Sequence, residues 1–155
     1  MKTTAEENCK ALSDALNFAG GRMVVFDGGG AQDAIYLMSS CETTTFSANV
    51  RINPNVTIKG EGEIADYLML INCTSCFFSG GGFIDSNDLF SQGVFIRNES
   101  GAKGSGGIVN VEDINISNCK QHHISTNPPP AISTTNAAGL RVRGDFKIVR
   151  AVSGS

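Results

Sequence analysis

The sequence predicts an all-β fold of the parallel solenoid kind, closed at its N-terminal end by one helix. Three observations predict it. Of 155 residues, 18 are Gly and only 17% are charged, a composition of turns and short strands rather than of a charge-laced coiled coil. A single stretch, at the N-terminus, carries helical spacing. A unit of strand, polar residue, cysteine and strand then recurs three times. The length suits one domain, and a compact fold of this size buries roughly 70% of its unfolded surface. The net charge of −3 excludes a general nucleic-acid binder, which needs a basic footprint.

The helix is placed at about residues 5–18, because Ala11, Leu12, Ala15, Leu16 and Phe18 form an apolar stripe. Gly20-Gly21 stops it, and Met23-Val24-Val25-Phe26 follows as the first strand. The repeat comes next. Tyr36-Leu37-Met38-Ser39-Ser40-Cys41 leads to Phe46-Ser47. Leu68-Met69-Leu70-Ile71-Asn72-Cys73 leads to Phe78-Ser79. Ile114-Asn115-Ile116-Ser117-Asn118-Cys119 leads to Ile124-Ser125. Positions five and three before the cysteine share a parity and face one side of a strand. The polar residue just before it falls where the strand bends, and Asn tolerates the backbone of a tight turn. Such units pile coil upon coil, each covering the apolar edge of the last, which is a parallel β-solenoid. Val56-Thr57-Ile58-Lys59, Phe83-Ile84, Gly93-Val94-Phe95-Ile96 and Ile108-Val109-Asn110-Val111 supply the intervening strands. Pro128-Pro129-Pro130 marks a loop. Leu140-Arg141-Val142-Arg143 and Phe146-Lys147-Ile148 form a closing coil whose basic residues discourage edge pairing.

The five cysteines, Cys9, Cys41, Cys73, Cys76 and Cys119, are an odd number, which predicts mostly buried thiols of a reducing compartment. The opening residues contain no apolar h-region, so synthesis in the cytoplasm without a Sec signal is expected. Use on a virion or cell surface is compatible with that. The longest apolar run, Tyr67-Leu68-Met69-Leu70-Ile71, is far short of a membrane span.

The opening Thr4-Ala5-Glu6-Glu7-Asn8, with Ala11-Leu12, Ala15-Leu16 and Gly20-Gly21-Arg22-Met23-Val24-Val25-Phe26, resembles the N-terminal cap of pectate-lyase-like (pectin lyase superfamily) right-handed parallel β-helices. Asn55-Val56-Thr57-Ile58-Lys59-Gly60-Glu61-Gly62 is similar to a recurrent step of that family. Phe78-Ser79-Gly80-Gly81-Gly82-Phe83-Ile84-Asp85 is similar to its coil-to-coil connections. The resemblance covers roughly residues 4–125. It implies residues 1–20 as the capping helix and 21–155 as right-handed coils of one domain, either whole or a piece of a longer β-helix. It also implies a phage-tailspike-like or pectate-lyase-like module that binds a surface polysaccharide and has the scaffold to cleave it. The family's polygalacturonase-type motifs are missing, and neither His122-His123 nor Lys147-Ile148-Val149-Arg150 replaces them. The alternative is a non-catalytic structural or adhesion module of a virion or cell surface.

If the chain is an enzyme, it is a polysaccharide hydrolase or lyase. Glycoside hydrolysis needs two carboxyl groups, about 5 Å apart for retention or 6.5–9.5 Å for inversion, and stacked strands lie about 4.8 Å apart. The repeat alignment sets Asp66 opposite Glu112 with Asp113 beside it. Asp85 and Asp88 share the loop Asp85-Ser86-Asn87-Asp88. These five are the catalytic candidates, against solvated corners for Asp66, Glu112 and Asp113 and a turn for Asp85 and Asp88. A lyase would use a Lys or Arg base, often with Ca²⁺, but the Asp85–Asp88 spacing matches no calcium loop, and neither metal nor cofactor is expected. His122 and His123 read as structural, one facing in and one out. Cys73-Thr74-Ser75-Cys76 reads as stacked thiols rather than a zinc or redox pair. Leu37, Met69 and Asn115, four before each cysteine, should face outward. Two apolar residues there predict lateral packing, as a homotrimer or against further coils.

Overall fold

The computed structural model describes residues 3–20, 22–45, 47–73, 75–97, 108–127, 132–135, 137–138 and 151–152. It is mostly β, with one helix and parallel sheets. The helix, α1 (Ala5–Ala19), starts at a capping box. Thr4 Oγ1 accepts from the Glu7 amide at 3.1 Å, and the Thr4 amide donates to Glu7 Oε1 at 3.0 Å, so two otherwise orphaned donors are satisfied reciprocally. Glu6 and Glu7 place negative charge where the helix dipole is positive. The helix ends at Gly20, whose left-handed φ of 59° favours glycine.

Ala5, Asn8, Leu12 and Leu16 are its buried face, at steps of three and four. Asn8 Nδ2 donates to the Leu37 carbonyl at 2.9 Å. The expected stripe is therefore half right. Phe18 is 94% exposed, because two residues along a helix turn it about 200° away from Leu16.

Among the described residues the strands that follow are β1 (Met23–Phe26), β2 (Ala34–Met38), β3 (Cys41–Thr44), β4 (Ser47–Ile52), β5 (Val56–Gly60), β6 (Ala65–Asn72), β7 (Ser75–Ser79), β8 (Phe83–Asp85), β9 (Phe90–Arg97), β10 (Ile108–Glu112), β11 (Asn115–Ser117), β12 (His122–Asn127), β13 (Ile132–Thr135), β14 (Ala137–Ala138) and β15 (Ala151–Val152). From β1 to β11 each strand pairs in parallel with the strand three places on. The first sheet is β1-β4-β7-β10-β13 and the second β2-β5-β8-β11-β14-β15. The third is β3-β6-β9-β12. The strands expected at Val56, Phe83, Gly93 and Ile108 all lie within these elements. The proline loop and the closing coil at 140–148 lie outside the described residues.

Parallel pairing keeps residues of like parity in line, so the core is built of columns. Val24, Val50, Phe78 and Val111 form one in the first sheet. Tyr36, Ile58, Ile84 and Ile116 form one in the second. Cys41, Met69, Val94 and Ile124 form one in the third. The buried members of all three belong to one hydrophobic cluster. Each fully buried Ile or Phe contributes about 1.5–3 kcal/mol relative to exposure.

Two expectations about cysteine are corrected. Cys9–Cys41 and Cys73–Cys76 are disulfides, and only Cys119 is a free thiol. The odd count reflects two pairs and one left over. The repeat alignment also slips. Cys41 and Cys119 both follow a second-sheet strand and lead into the third sheet, but Cys73 leads from the third sheet into the first. Any corner asks for a strand, a polar bend, a small residue and another strand, so the local pattern does not say which corner it is. At the equivalent pair the predicted bend is present, with φ of 45° at Ser40 and 57° at Asn118. The same slip corrects Met69. It faces the core at 2% exposure instead of outward, so the apolar stripe of Leu37 and Met69 does not exist.

Candidate functional site

The strongest surface feature is the outer face of the second sheet. Between the buried column residues, the outward positions form two rows: Ile35, Thr57, Phe83, Asn115 and, beside it, Leu37, Lys59, Asp85, Ser117. Ile35 is 58% and Phe83 44% exposed. A cleft of about 600 Å³ lies over the first turns of this face, lined by Asp27, Ile35, Leu37, Lys59, Glu61 and Asn87 among others. One wall is the turn after β1. It is held by Tyr36 Oη donating to the Asp27 carbonyl at 2.7 Å and Asn55 Nδ2 donating to the Ala31 carbonyl at 2.6 Å. The opposite wall is the bend from the second sheet into the third, where Asn87 Nδ2 donates to the Gly60 carbonyl at 3.2 Å. Gly60 is required there, because a Cβ would meet the Phe90 ring and the Ser86 carbonyl.

That bend contains two of the predicted acids. Asp85 Oδ1 accepts from the Asn87 amide and from Asn118 Nδ2, both at 2.8 Å. Asn87 and Asp88 adopt left-handed φ of 55° and 58°. The Asp88 amide donates to the Asn118 carbonyl at 3.0 Å. This is an Asx-type turn locked to the next bend. Asp85 also stands next to Lys59 in the outward row, while Asn87 is the residue of this turn that lines the cleft. Beneath it, the Cys119 Sγ lies 3.2 Å from Ser86 Oγ. Burial pushes the Cys119 thiol up from its ordinary pKa, with the hydrogen bond from Ser86 working the other way.

The remaining candidates lie elsewhere. Asp66 is exposed on β6, which pairs with β3 and β9. Glu112 is exposed at the end of β10, which pairs with β7 and β13. The expected Asp66–Glu112 stack is thus not formed, because it rested on the slipped alignment. Asp113, with φ of 51°, turns the chain from the first sheet into the second, and its carbonyl accepts from the Gly81 amide. The five acids occupy three separate places. His122 stands in register with Gln92 on the third sheet, and the side chains of His122 and His123 lie outside the described residues. Among the described residues, no group of three or more His, Cys, Asp or Glu is gathered to hold a metal ion, and no helix is long and apolar enough to cross a membrane.

Sequence reasoning missed Lys59, Glu61, Asn87 and the exposed pair Ile35 and Phe83. The available signal was parity: Lys59 and Phe83 alternate with the buried Ile58 and Ile84 of their strands, and Ile35 with Tyr36 and the buried Met38 of its own. Comparison with profiles of known families, with characterised proteins and with solved structures returns no match.

Proposed function

We propose that the three parallel sheets are the faces of a right-handed parallel β-helix, and that this β-helix is a tailspike-like or pectate-lyase-like module that binds a surface polysaccharide. The observation that carries the reading is the cleft on the outer face of the second sheet. Its lining suits a sugar. Ile35 and Leu37 offer apolar surface to the C–H face of a pyranose, and Phe83 extends that surface along the row. Lys59, Asp27, Glu61 and Asn87 offer donors and acceptors to hydroxyls. Successive rungs about 4.8 Å apart repeat the same outward geometry along the sheet, which suits a polymer better than a small molecule.

A second reading, a non-catalytic structural or adhesion module, is favoured by the dispersal of Asp66, Asp85, Asp88, Glu112 and Asp113 over three places. Under both readings the natural setting is a virion or cell surface, with a homotrimer or further coils as partners. Cleavage, if the module performs it, falls to Asp85 and Asp88, the candidates that share a turn with the cleft-lining Asn87.

The test is incubation with acidic and neutral polysaccharides, following binding, reducing ends and the absorbance of unsaturated uronate. Binding that Lys59→Ala weakens roughly tenfold, about the worth of one charge-assisted hydrogen bond, is the expected result. New reducing ends abolished by Asp85→Asn would add hydrolysis, and uronate absorbance would add lyase chemistry. Binding untouched by Lys59→Ala, or none across the panel, overturns the assignment of this face.

A further inference from the structure

The described element that covers the open end of the sheets is α1. It packs on β1, β2 and β3, and these are the edge strands of the first, second and third sheets. One covalent tie holds it there, Cys9–Cys41, joining the helix to the start of β3 across a sequence separation of 32. The two disulfides differ in access. Cys73 and Cys76 are each 1% exposed. Cys9 is half-buried and lines an open cleft of about 460 Å³ with Glu6, Lys10, Ser40 and Glu42. Cys41, its partner, is 1% exposed in the core column.

We propose that Cys9–Cys41 is a redox-sensitive clasp on the helical cap: a small dithiol opens it while Cys73–Cys76 stays closed, and opening frees α1 from the end of the three sheets. The chemistry is thiol–disulfide exchange. One thiolate of the dithiol attacks Cys9 Sγ through the cleft, the Cys9–Cys41 bond breaks, and Cys41 leaves as a thiolate that takes up a proton. The second thiol of the dithiol then displaces Cys9. The dithiol is oxidised to its cyclic disulfide, and the two cysteines are reduced to thiols. Access decides the order, since an attacking thiolate must line up behind a sulfur and only Cys9 is reached from solvent. Once the disulfide opens, what remains on the cap is noncovalent: the Asn8 hydrogen bond to the Leu37 carbonyl and a buried face of four residues. Leu12 and Leu16 are its large apolar anchors, and a free helix of this length is marginal in water.

The full chain is titrated with dithiothreitol, alkylated, and mapped by mass spectrometry, with brief trypsin treatment in parallel. Cys9 and Cys41 are expected to label at concentrations that leave Cys73 and Cys76 bonded. Cleavage after Lys10 should rise by roughly five-hundredfold as they do, the scale of a crosslink over such a separation. Cys9→Ser should be cleaved at the high rate without reductant and ignore it. If that variant fails to fold, the titration of the unaltered chain still decides. Reduction of both disulfides together, or of Cys73–Cys76 first, overturns the proposal. So does full labelling of Cys9 and Cys41 with cleavage after Lys10 unchanged.

Discussion

The bends between sheets are where single residues matter most. Ser40, Asn87, Asp88, Asp113 and Asn118 all hold positive φ, and all are types whose short polar side chains hydrogen-bond locally and tolerate that region. Gly80 goes further. Its φ is 114°, and a Cβ there would run into the Ile52 carbonyl and the Arg51 side chain. Gly80→Ala is therefore expected to cost about 3 kcal/mol or more, lowering the urea midpoint with an unchanged slope. Gly20→Ala is the comparison. Its φ of 59° is less extreme and a Cβ meets open space, so about 1 kcal/mol is expected. Equal losses would show that the close approach to Ile52 does not matter. This scale was partly legible in sequence: the bends at Ser40 and Asn118 followed from a polar residue before cysteine. Lys59 was not, because a lysine on an alternating strand looks like any solvated residue until the loops that wall its cleft are in place.

At the scale of the element, α1 separates what a helix needs locally from what it needs in context. Its start is local, and Thr4→Ala should cost about 1 kcal/mol by removing one half of the capping box. Its grip is tertiary, and Leu16→Ala should cost about 2–5 kcal/mol through lost burial and a cavity. Phe18→Ser should change stability by less than about 0.5 kcal/mol, since that ring is exposed. Thermal unfolding of the three variants checks the ranking, and a loss at Phe18 comparable to that at Leu16 would contradict the placement of the buried face. The helix itself was readable from its spacing. Which members of the apolar stripe are buried was not, because Leu12, Leu16 and Phe18 are equally apolar in sequence and only the sheets beneath choose.

For the whole molecule, parallel pairing in columns makes stability depend on having neighbours on both sides. β5, β6 and β8 each lie between two paired strands and carry the fully buried Ile58, Leu68, Ile71 and Ile84. β1 has one paired neighbour. Amide exchange should accordingly be slowest at Ile58, Leu68 and Ile84 and faster by at least tenfold at Val25. Exchange at Val25 as slow as at Ile58 would mean that the cap protects its end as fully as a further layer of strands would.

By itself the sequence determined that the chain is mostly β, that one helix opens it, and that short strands recur with bends of Ser, Asn, Asp and Gly between them. Those properties depend on parity, spacing and local backbone preference, all written within a few neighbouring residues. Only the tertiary structure decided which strand lies beside which. It placed Cys73 at a different corner from Cys41 and Cys119, turned Met69 inward, separated Asp66 from Glu112, and brought Cys9 to Cys41. The physical reason is that a corner looks the same locally wherever it falls. Contacts between residues some 22 to 33 positions apart, from Ala34–Val56 to Phe77–Asn110, are settled by which columns of side chains fill the shared core.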